Sequence, residues 1–456
     1  MDLRTSFNFT KEGIVFAYYY VENQVSIYVI TDDLTGANDT AVQFAKKGLR
    51  TVVFLDPKNA SRTKERIEVI VLNTDSRALP PSSAVERIQS AFHAISPSET
   101  DILFKKIDST LRGNVVPEVE EALKLSAKEV AIVAPAYPKN MRTTVNGIHY
   151  VRGIPVAETE AASDPRCPVR HSHIPTLFQA QGSIPSASIS LDQIRGGTLK
   201  ERIASLAKKG SRILIFDAET EEDLQRIVQG VFSSGRTCLW VGSAGLAEAL
   251  SEEYLTARTN IFTQPRESSP IQPNLFPNAK PVLIILGSMS EVSTQQARVF
   301  TQWAGIEPFI LDPGEILKGN PREIDTALDW VRIHLREKKH TLLMSDRHKL
   351  QLSSNGSSDP IETLLNAFQH LGTSIDFSLC SGLIVTGGDI AMAVCKGMDV
   401  HSIEVLDETS PGIPLGCVRG GRWEGLPLVT KAGAFGTSDA FILACRRISS
   451  IPGKEK

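Results

Sequence analysis

Two adjacent aspartates directly follow the first predicted strand, in the segment TDDLTGAND. The strand is predicted over 25–31 because VSIYVIT is rich in β-branched and aromatic residues. Asp32 and Asp33 therefore fall at a strand end, just before a predicted helix. Carboxylates placed there can accept protons, bind hydroxyl groups or hold magnesium, and either one can also cap the helix. Asn38 and Asp39 add two more polar groups to the same segment, which favours a functional role over capping alone.

A loop rich in cations follows the strand predicted over 102–107, in the segment KKIDSTLRGN. Its candidate residues are Lys105, Lys106, Asp108, Ser109 and Arg112. Arginine can bind a carboxylate through two parallel hydrogen bonds, and lysine supplies a point charge. Arg77, in NTDSR after another predicted strand, adds a further cation. This composition predicts a binding site for an acidic small molecule.

Three turns in the C-terminal half combine glycine with small polar residues directly after predicted strands. They are ILGSMS, VTGGDIA and TKAGAFGTSD, and their candidate residues are Ser288, Gly387, Gly388, Asp389, Ile390 and Gly433. Helix N-termini at such turns offer free N–H groups and a partial positive charge, which suit phosphate. Each turn alone could simply be a tight connection, but three in one half favour nucleotide binding.

Short apolar strands alternate with helical patterns along most of the chain, which is typical of parallel βαβ units. The pattern stops in a stretch rich in Pro, Ser and Asn and then restarts. We predict two α/β domains, each with a largely parallel sheet flanked by helices, and an active site in the cleft between them. The predicted limits are an N-terminal extension at 1–24, a first domain at 25–258, a linker at 259–280 and a second domain at 281–456.

Composition excludes several classes of protein. The 456 residues carry a formal net charge of -3, which provides no electrostatic attraction to nucleic acid or an anionic membrane. The six cysteines are scattered without a CxxC pair, which argues against a zinc site or disulfide framework and favours a reducing cytoplasm. No apolar run approaches the roughly 20 residues of a membrane helix. A homodimer is the default expectation for assembly, because dimers are the commonest oligomers.

Seven segments in this order resemble the four-carbon acid sugar kinases, from about Val25 onward. They are TDDLTGANDT, KKIDSTLRGN, APAYPKNMRTTVNGIHYVRGIPVAET, VGSAGLAEAL, LGSMS, TGGDIA and TKAGAFG. The resemblance implies that the first domain binds a sugar acid and the second binds ATP. It also implies transfer of the γ-phosphoryl group of ATP to the terminal hydroxyl of threonate, erythronate or a 3-oxo-tetronate. The product would be a 4-phosphate.

The resemblance also implies which residues bind each ligand. Nucleotide contacts fall on Ser288, on 387–390 and on Gly433, and acid contacts fall on Asp33, Arg77 and 106–109. The DSTLRGN and DLTGAND forms are more similar to the threonate and erythronate kinases than to the oxo-tetronate kinases, so D-threonate is the first expectation. D-erythronate, L-threonate and 3-oxo-tetronate remain alternatives. Two residues depart from the family pattern, because Ile390 stands in place of a small polar residue and Ala434 in place of glycine.

A mechanism follows as a hypothesis, because phosphoryl transfer depends mainly on positioning and charge neutralisation. The cations Arg77, Lys105, Lys106 and Arg112 would fix the substrate carboxylate, with Asp32 and Ser109 beside them. Asp33 or Asp108 would orient the acceptor hydroxyl and take its proton. Magnesium would bridge the phosphates, with Asp389 or a carboxylate of the other domain as an outer ligand.

Two readings from other classes remain open. The first is a dehydrogenase or aldolase acting on the same acids, which predicts NAD binding or carbonyl chemistry and is disfavoured because no GxGxxG follows the first strand. A non-catalytic sensor of sugar acids would bind the acid without turning over ATP. An assay of ADP release would separate both from a kinase.

Overall fold

The computed structural model describes residues 26–62, 65–259, 280–287, 290–346 and 359–451. The predicted extension at 1–24 and almost all of the predicted linker lie outside these residues. The described residues form two compact units. The first contains 26–32, 47–49 and the described part of 60–259, and the second contains 33–46, 50–59 and the described residues from 280 onward.

The described residues contain eighteen strands, numbered here along the chain. They are β1 (Ile27–Thr31), β2 (Thr51–Phe54), β3 (Val69–Asn73), β4 (Ile102–Lys106), β5 (Val130–Ala134), β6 (Arg142–Val145), β7 (Ile148–Val151), β8 (Ile154–Pro155), β9 (Ser186–Ile189), β10 (Ile213–Phe216), β11 (Cys238–Gly242), β12 (Val282–Leu286), β13 (Phe309–Leu311), β14 (Thr341–Ser345), β15 (Gly382–Thr386), β16 (Ser402–Ser410), β17 (Ile413–Arg419) and β18 (Pro427–Lys431).

Fourteen α-helices lie in the same described ranges. They are α1 (Leu34–Ala45), α2 (Pro81–Ile95), α3 (Val115–Leu125), α4 (Ile174–Gln181), α5 (Leu191–Arg195), α6 (Leu199–Lys208), α7 (Glu221–Ser233), α8 (Ala244–Thr259), α9 (Glu291–Ala304), α10 (Pro313–Leu317), α11 (Pro321–Arg336), α12 (Pro360–Ser374), α13 (Gly388–Gly397) and α14 (Ala440–Ser449). None of them is long and apolar enough to cross a membrane.

The first unit is built on a parallel sheet with the order β3-β1-β4-β11-β5-β10-β9. Strands such as β5, in which every residue is buried, read as continuous apolar runs because helices cover both faces of such a sheet. In the register, Thr31 pairs with Asn73 and Ile30 pairs with Lys105. The carboxyl ends of β1, β3 and β4 therefore meet at one edge, which brings together the loops that the sequence singled out.

A small antiparallel sheet, β6-β7-β8, also belongs to the first unit and was not predicted. Its first hairpin turns through Asn146 and Gly147, which both have positive φ, at 51° and 75°. Asn-Gly between two β-rich runs is a strong signal for a two-residue hairpin. The sequence therefore contained the information for this hairpin.

The second unit has a mixed sheet. The strands β13-β14-β12-β15-β18 are parallel, and β18-β17-β16-β2 continue with antiparallel pairs. The α/β class and the predominance of parallel strands are confirmed in both units. The predicted domain limits stay a prediction, and the compact units differ from them in one respect. Helix α1 and strand β2, although early in the chain, pack with the C-terminal half.

Candidate active site

A buried ion pair between Asp32 and Arg77 lies at the carboxyl edge of the first unit's sheet. Arg77 donates from Nε to Oδ2 at 2.8 Å and from Nη2 to Oδ1 at 3.0 Å. Burial alone would raise the pKa of Asp32, but Arg77, with Lys105 and Lys106 beyond it, outweighs burial and lowers that pKa. Asp32 is therefore an ionised carboxylate whose main role in this arrangement is to hold Arg77.

Asp108 and Arg112 form a second pair inside the cationic loop. Arg112 donates from Nε to Asp108 Oδ2 at 2.8 Å and from Nη2 to Oδ1 at 3.2 Å. Thr110 also donates its hydroxyl to Oδ2, and Arg77 Nη2 lies 3.8 Å from Oδ1. Burial would raise the pKa of Asp108, but Arg112 and then Arg77 hold it well below its usual range. Such a carboxylate is a weak proton acceptor because its charged form is already stabilised.

The two adjacent lysines at the end of β4 have different surroundings. Lys105 Nζ lies 2.8 Å from Glu118 Oε2 and donates to the carbonyl of Lys106 at 2.7 Å. Ser76 donates to the other oxygen of Glu118 at 2.5 Å. Burial raises the pKa of Glu118 even beside this ammonium. Lys105 therefore belongs to a closed polar network beneath the loops.

Lys106 is as deeply buried as its neighbour, with 3% of its surface exposed. Its ammonium makes no hydrogen bond or ion pair with any residue in the part of the chain that the structure describes. Its charge nevertheless lowers the pKa values of both Asp32 and Asp108, so it lies near both carboxylates. A buried cation without a direct partner costs free energy unless a ligand supplies the counter-charge.

Backbone geometry allows the Asp32–Arg77 pair to approach the cationic loop closely. Gly113 has φ +89°, and a Cβ there would lie 3.1 Å from Arg77 Cγ and 3.2 Å from Asp32 Oδ2. Asn114 donates to the carbonyls of Ser76 and Leu79, at 3.2 and 2.9 Å. The RGN end of the motif therefore ties the cationic loop to the segment that carries Arg77.

His149 supports the same loop from the small antiparallel sheet. Its ring is fully buried, with Nε2 2.8 Å from the Ser109 carbonyl and Nδ1 3.0 Å from the Thr144 hydroxyl. Burial lowers the pKa of His149 to about 4, so the ring is neutral at pH 7. Nε2–H then donates to Ser109, which holds the backbone of that candidate residue in place. Sequence reasoning missed this role because a histidine inside an apolar strand carries no functional signal.

A cavity of about 250 Å³ lies next to Arg77 in the first unit. Its lining includes Gly113 and Asn114 together with Arg166, Arg170 and His171, which the sequence analysis did not single out. Lys106 and Asp108 do not line it. The cavity is therefore a neighbour of the Lys106 region, and it extends the positive charge around Arg77.

In the second unit, helix α13 begins at a glycine turn. Gly387 has φ +91° and caps the helix without a side-chain hydrogen bond. A Cβ on Gly388 would lie 2.9 Å from Thr35 Oγ1 and 3.2 Å from Asp33 Oδ2. Only glycine lets the starts of α1 and α13 approach this closely. Asp33 also caps α1, because its Oδ1 accepts the Gly36 N–H at 2.9 Å.

The candidate residues in the first turn of α13 have different exposures. Asp389 is exposed, and Ile390 is half-buried. A Cβ on Gly287 would collide with the side chain of Ile390, so Ile390 fills the space above that glycine. This packing explains how isoleucine is accommodated where a small polar residue was expected. Ser288 lies outside the described residues.

The loop after β18 is held in place by hydrogen bonds that its carbonyl groups accept. Gly433 O accepts from Ser290 Oγ at 2.6 Å, from Ser293 Oγ at 2.9 Å and from Lys431 Nζ at 2.9 Å. Lys431 is buried and also donates to the carbonyls of Ala432 and Phe435. Burial lowers the pKa of Lys431 to about 7, although the surrounding oxygens favour its charged form. Sequence reasoning noted this lysine but assigned it no role.

The amide N–H groups of this loop contrast with its carbonyls. Within the described ranges, the N–H groups of Gly433 and Ala434 make no hydrogen bond. The same holds for Gly388 and Ile390 in the first turn of α13. Two turns of the second unit therefore present unused backbone donors, as phosphate-binding turns do.

Comparisons with known proteins agree with this division. A family model of a sugar-binding N-terminal domain matches residues 27–250, and one of a nucleotide-binding C-terminal domain matches residues 283–441. Among solved structures, a protein from Salmonella typhimurium LT2 is similar with a TM-score of 0.75 and 21% identity, covering 92% of this chain and 99% of that one. A Haemophilus influenzae protein of the DUF1537 family has a TM-score of 0.67 at 22% identity, covering 92% and 100%. These two establish the fold.

Curated relatives match over nearly the whole chain. The D-threonate kinase of Salmonella typhimurium is 34% identical over 91% of this chain and 96% of its own length. The D-erythronate kinase of Heliobacterium modesticaldum is 30% identical, covering 91% and 95%. The 3-oxo-tetronate kinase of Burkholderia multivorans is 27% identical, covering 92% and 96%. Because both family models match and a curated member is 34% identical over 91% of the chain, the chain belongs to the four-carbon acid sugar kinase family.

Proposed function

We propose that this protein is an ATP-dependent kinase that phosphorylates the terminal hydroxyl of D-threonate to give the 4-phosphate. The D-threonate kinase of Salmonella typhimurium, at 34% identity, supports this substrate over the 3-oxo-tetronate of a relative at 27%. D-erythronate and L-threonate are the nearest alternatives, because they differ from D-threonate only in stereochemistry. We further propose that the enzyme works in the cytoplasm, since scattered cysteines without a pairing pattern suit a reducing compartment.

The observation that carries the proposal is the buried and unpaired ammonium of Lys106. A carboxylate ligand would supply the counter-charge that this ammonium lacks in the described structure. Asp32 and Asp108 lie near enough for the Lys106 charge to lower their pKa values, but each bonds to an arginine and neither forms a direct ion pair with Lys106. We therefore expect an anion from solution, such as a sugar acid, to bind there.

The remaining cations of the loop region have different proposed roles. Arg77 and Arg112 are each held by a carboxylate, and a guanidinium has five N–H donors, more than a single carboxylate can accept. Lys105 is engaged by Glu118. We therefore assign the substrate carboxylate to Lys106 and the two arginines, and a supporting role to Lys105.

ATP would be held by the turns of the second unit. The unused N–H groups at the start of α13 and in the loop at Gly433 are suited to phosphate oxygens. Magnesium would neutralise the phosphate charge during transfer. Ser288 stays a predicted contact of the nucleotide.

Asp33 is the better of the two aspartates proposed to act in transfer. Asp108 is bonded through both oxygens within its own loop and has a pKa well below its usual range, which makes it a poor proton acceptor. Asp33 Oδ2 lies 3.2 Å from the position that a Cβ on Gly388 would occupy, at the start of α13. Asp33→Asn removes the charge but keeps the cap on α1, because asparagine caps helices about as well as aspartate. We expect this variant to keep its affinity for ATP in the absence of a divalent metal and to lose at least about 100-fold in kcat.

The decisive experiment is a coupled assay of ADP release with D-threonate, L-threonate, D-erythronate, 3-oxo-tetronate and glycerate. Turnover with D-threonate at the highest kcat/KM is the expected result. Turnover that is highest with another four-carbon acid would correct the substrate but keep the reaction. Binding of an acid without ADP release would contradict the kinase and favour a sensor. Reduction of NAD by the same acids would favour a dehydrogenase.

A further inference from the structure

The hydroxyl of Thr35 is an unsatisfied polar group in the second unit. Its Oγ1 is buried and has no hydrogen-bond partner among the described residues. A buried hydroxyl left without a partner costs about 1–3 kcal/mol. Native structures keep such groups mainly where an ion, water or ligand completes them.

The position of this hydroxyl suggests what completes it. Thr35 Oγ1 and Asp33 Oδ2 lie 2.9 and 3.2 Å from the same point, the place a Cβ would occupy on Gly388. Two oxygens, one from a hydroxyl and one from a carboxylate, therefore converge on the first turn of α13. Magnesium prefers oxygen ligands and is commonly held by one or two carboxylates together with substrate phosphates.

Electrostatics indicates a cation at this point rather than an anion alone. The start of α13 attracts phosphate through its unpaired N–H groups and its dipole. A carboxylate directed at the same place would repel that phosphate. A divalent cation between them removes the conflict, because it attracts both.

We propose that Asp33 and Thr35 hold the magnesium ion that accompanies the nucleotide phosphates at the start of α13. This inference rests on the proposed function, since the phosphates are those of ATP. It gives Asp33 a role in charge neutralisation. It also assigns a metal-binding role to Thr35, which sequence reasoning did not single out.

Thr40 provides a matched control in the same helix. Its Oγ1 is also buried without a partner among the described residues. Unlike Thr35, it contributes none of the three heavy atoms nearest to the position that a Cβ on Gly388 would occupy. Both threonines therefore have a buried hydroxyl without a hydrogen-bond partner among the described residues. Of the two, Thr35 is the one whose hydroxyl also lies near a carboxylate at the start of a helix.

The test compares the wild type with Thr35→Val, Thr35→Ser, Thr40→Val and Asp389→Asn. Mn²⁺ binding is measured by electron paramagnetic resonance in the presence of a non-hydrolysable ATP analogue. Calorimetry measures the affinity for that analogue with Mg²⁺ and with EDTA. Valine has nearly the same shape as threonine, so the substitution removes the hydroxyl with little change of packing.

We expect Thr35→Val to weaken Mn²⁺ binding about tenfold or more and to reduce the gain in analogue affinity that Mg²⁺ provides. Affinity in EDTA should stay at the wild-type value, and Thr35→Ser should restore the metal effect. Thr40→Val should behave as the wild type. Wild-type Mn²⁺ binding in Thr35→Val would overturn the inference, as would an equal loss of analogue affinity with and without metal.

Two further outcomes separate this inference from the proposed function. If Asp389→Asn, rather than Thr35→Val, removes the metal effect, the metal site is wrong while the kinase stands. If Thr35→Val shows the expected loss but no acid supports ADP release by the wild type, the metal site stands and the proposed reaction fails.

Discussion

The candidate sites of the two units bind anions by different physical means. In the first unit, charge comes from buried lysines and half-buried arginines, most of which are paired with carboxylates. In the second, the candidate donors are backbone N–H groups at glycine turns. A network of side chains fixes one ligand geometry and is costly to disturb, whereas backbone turns tolerate side-chain changes that leave the N–H groups in place. We therefore expect selectivity for the acid to depend on a few charged residues, and nucleotide binding to depend on the shape of the backbone.

The largest expected effect comes from breaking the buried ion pair of the first unit. Lys105→Met leaves Glu118 buried without its cation, and removing one partner of a buried pair typically costs about 3–5 kcal/mol. Urea titration should show this loss in the free energy of unfolding. Arg226→Ala is the control, because its pair with Glu222 is exposed and such pairs contribute about 0–1 kcal/mol. Equal effects of the two substitutions would contradict the buried network.

A second prediction concerns acid stability and His149. Burial lowers the pKa of His149 from 6.5 to about 4, so between these values the unfolded chain binds a proton that the folded protein does not. The free energy of unfolding should therefore fall as pH drops from 6.5 to 4, by up to about 3 kcal/mol from this group. Its contribution is fully present above pH 6.5. His149→Gln keeps a donor for the Ser109 carbonyl but cannot titrate.

The measurement for His149 is the slope of unfolding free energy against pH from urea titrations. His149→Gln should flatten that slope, whereas the exposed His93→Gln should leave it as in the wild type. An unchanged slope in His149→Gln would mean that its burial does not govern acid stability.

The third prediction tests the charge on Lys106 directly. Lys106→Met should weaken binding of D-threonate about 100-fold, because truncating one partner of a buried charge pair costs about 2–5 kcal/mol. ATP affinity should not change, since the nucleotide is proposed to bind turns of the second unit. Calorimetry with each ligand separates the two effects. Lys124→Met removes an exposed lysine and serves as the control, and a loss of acid binding there would show a nonspecific effect of net charge.

The smallest effect is expected at the glycine turn. Gly388→Ala places a methyl group 2.9 Å from Thr35 Oγ1 and 3.2 Å from Asp33 Oδ2, so these side chains, or the helix starts that carry them, must shift. We expect nucleotide affinity to fall about tenfold, or about 1.4 kcal/mol, with acid affinity unchanged. Equilibrium binding of a fluorescent ATP analogue measures the first, and calorimetry with D-threonate the second. Unchanged nucleotide affinity would mean that the close approach at Gly388 does not shape the phosphate site.

Several parts of the candidate site could not be read from local patterns. Glu118 lies on a helix whose other carboxylates suggest a solvated surface, and only the packing of α3 on the sheet brings it to Lys105. Lys431 was visible as a lysine in a glycine-rich turn, but its hydrogen bonds to three carbonyls depend on how that loop folds back. By its position in the sequence alone, Thr35 is an ordinary first-turn residue of a helix. These roles depend on contacts between residues that are far apart in the sequence, so the spacing of residues along the chain does not predict them.

Local sequence patterns were enough to predict the α/β class, the strand ends that carry polar loops, and the chemistry of those loops: cations in the N-terminal half and glycine turns in the C-terminal half. This was possible because strand periodicity, turn residues and charge are local properties. Tertiary structure decided which of two neighbouring lysines is paired, because successive residues of a strand point to opposite faces and only one face of β4 meets Glu118. It also decided that helix α1 packs with the C-terminal unit, which places Asp33 and Thr35 at the start of α13.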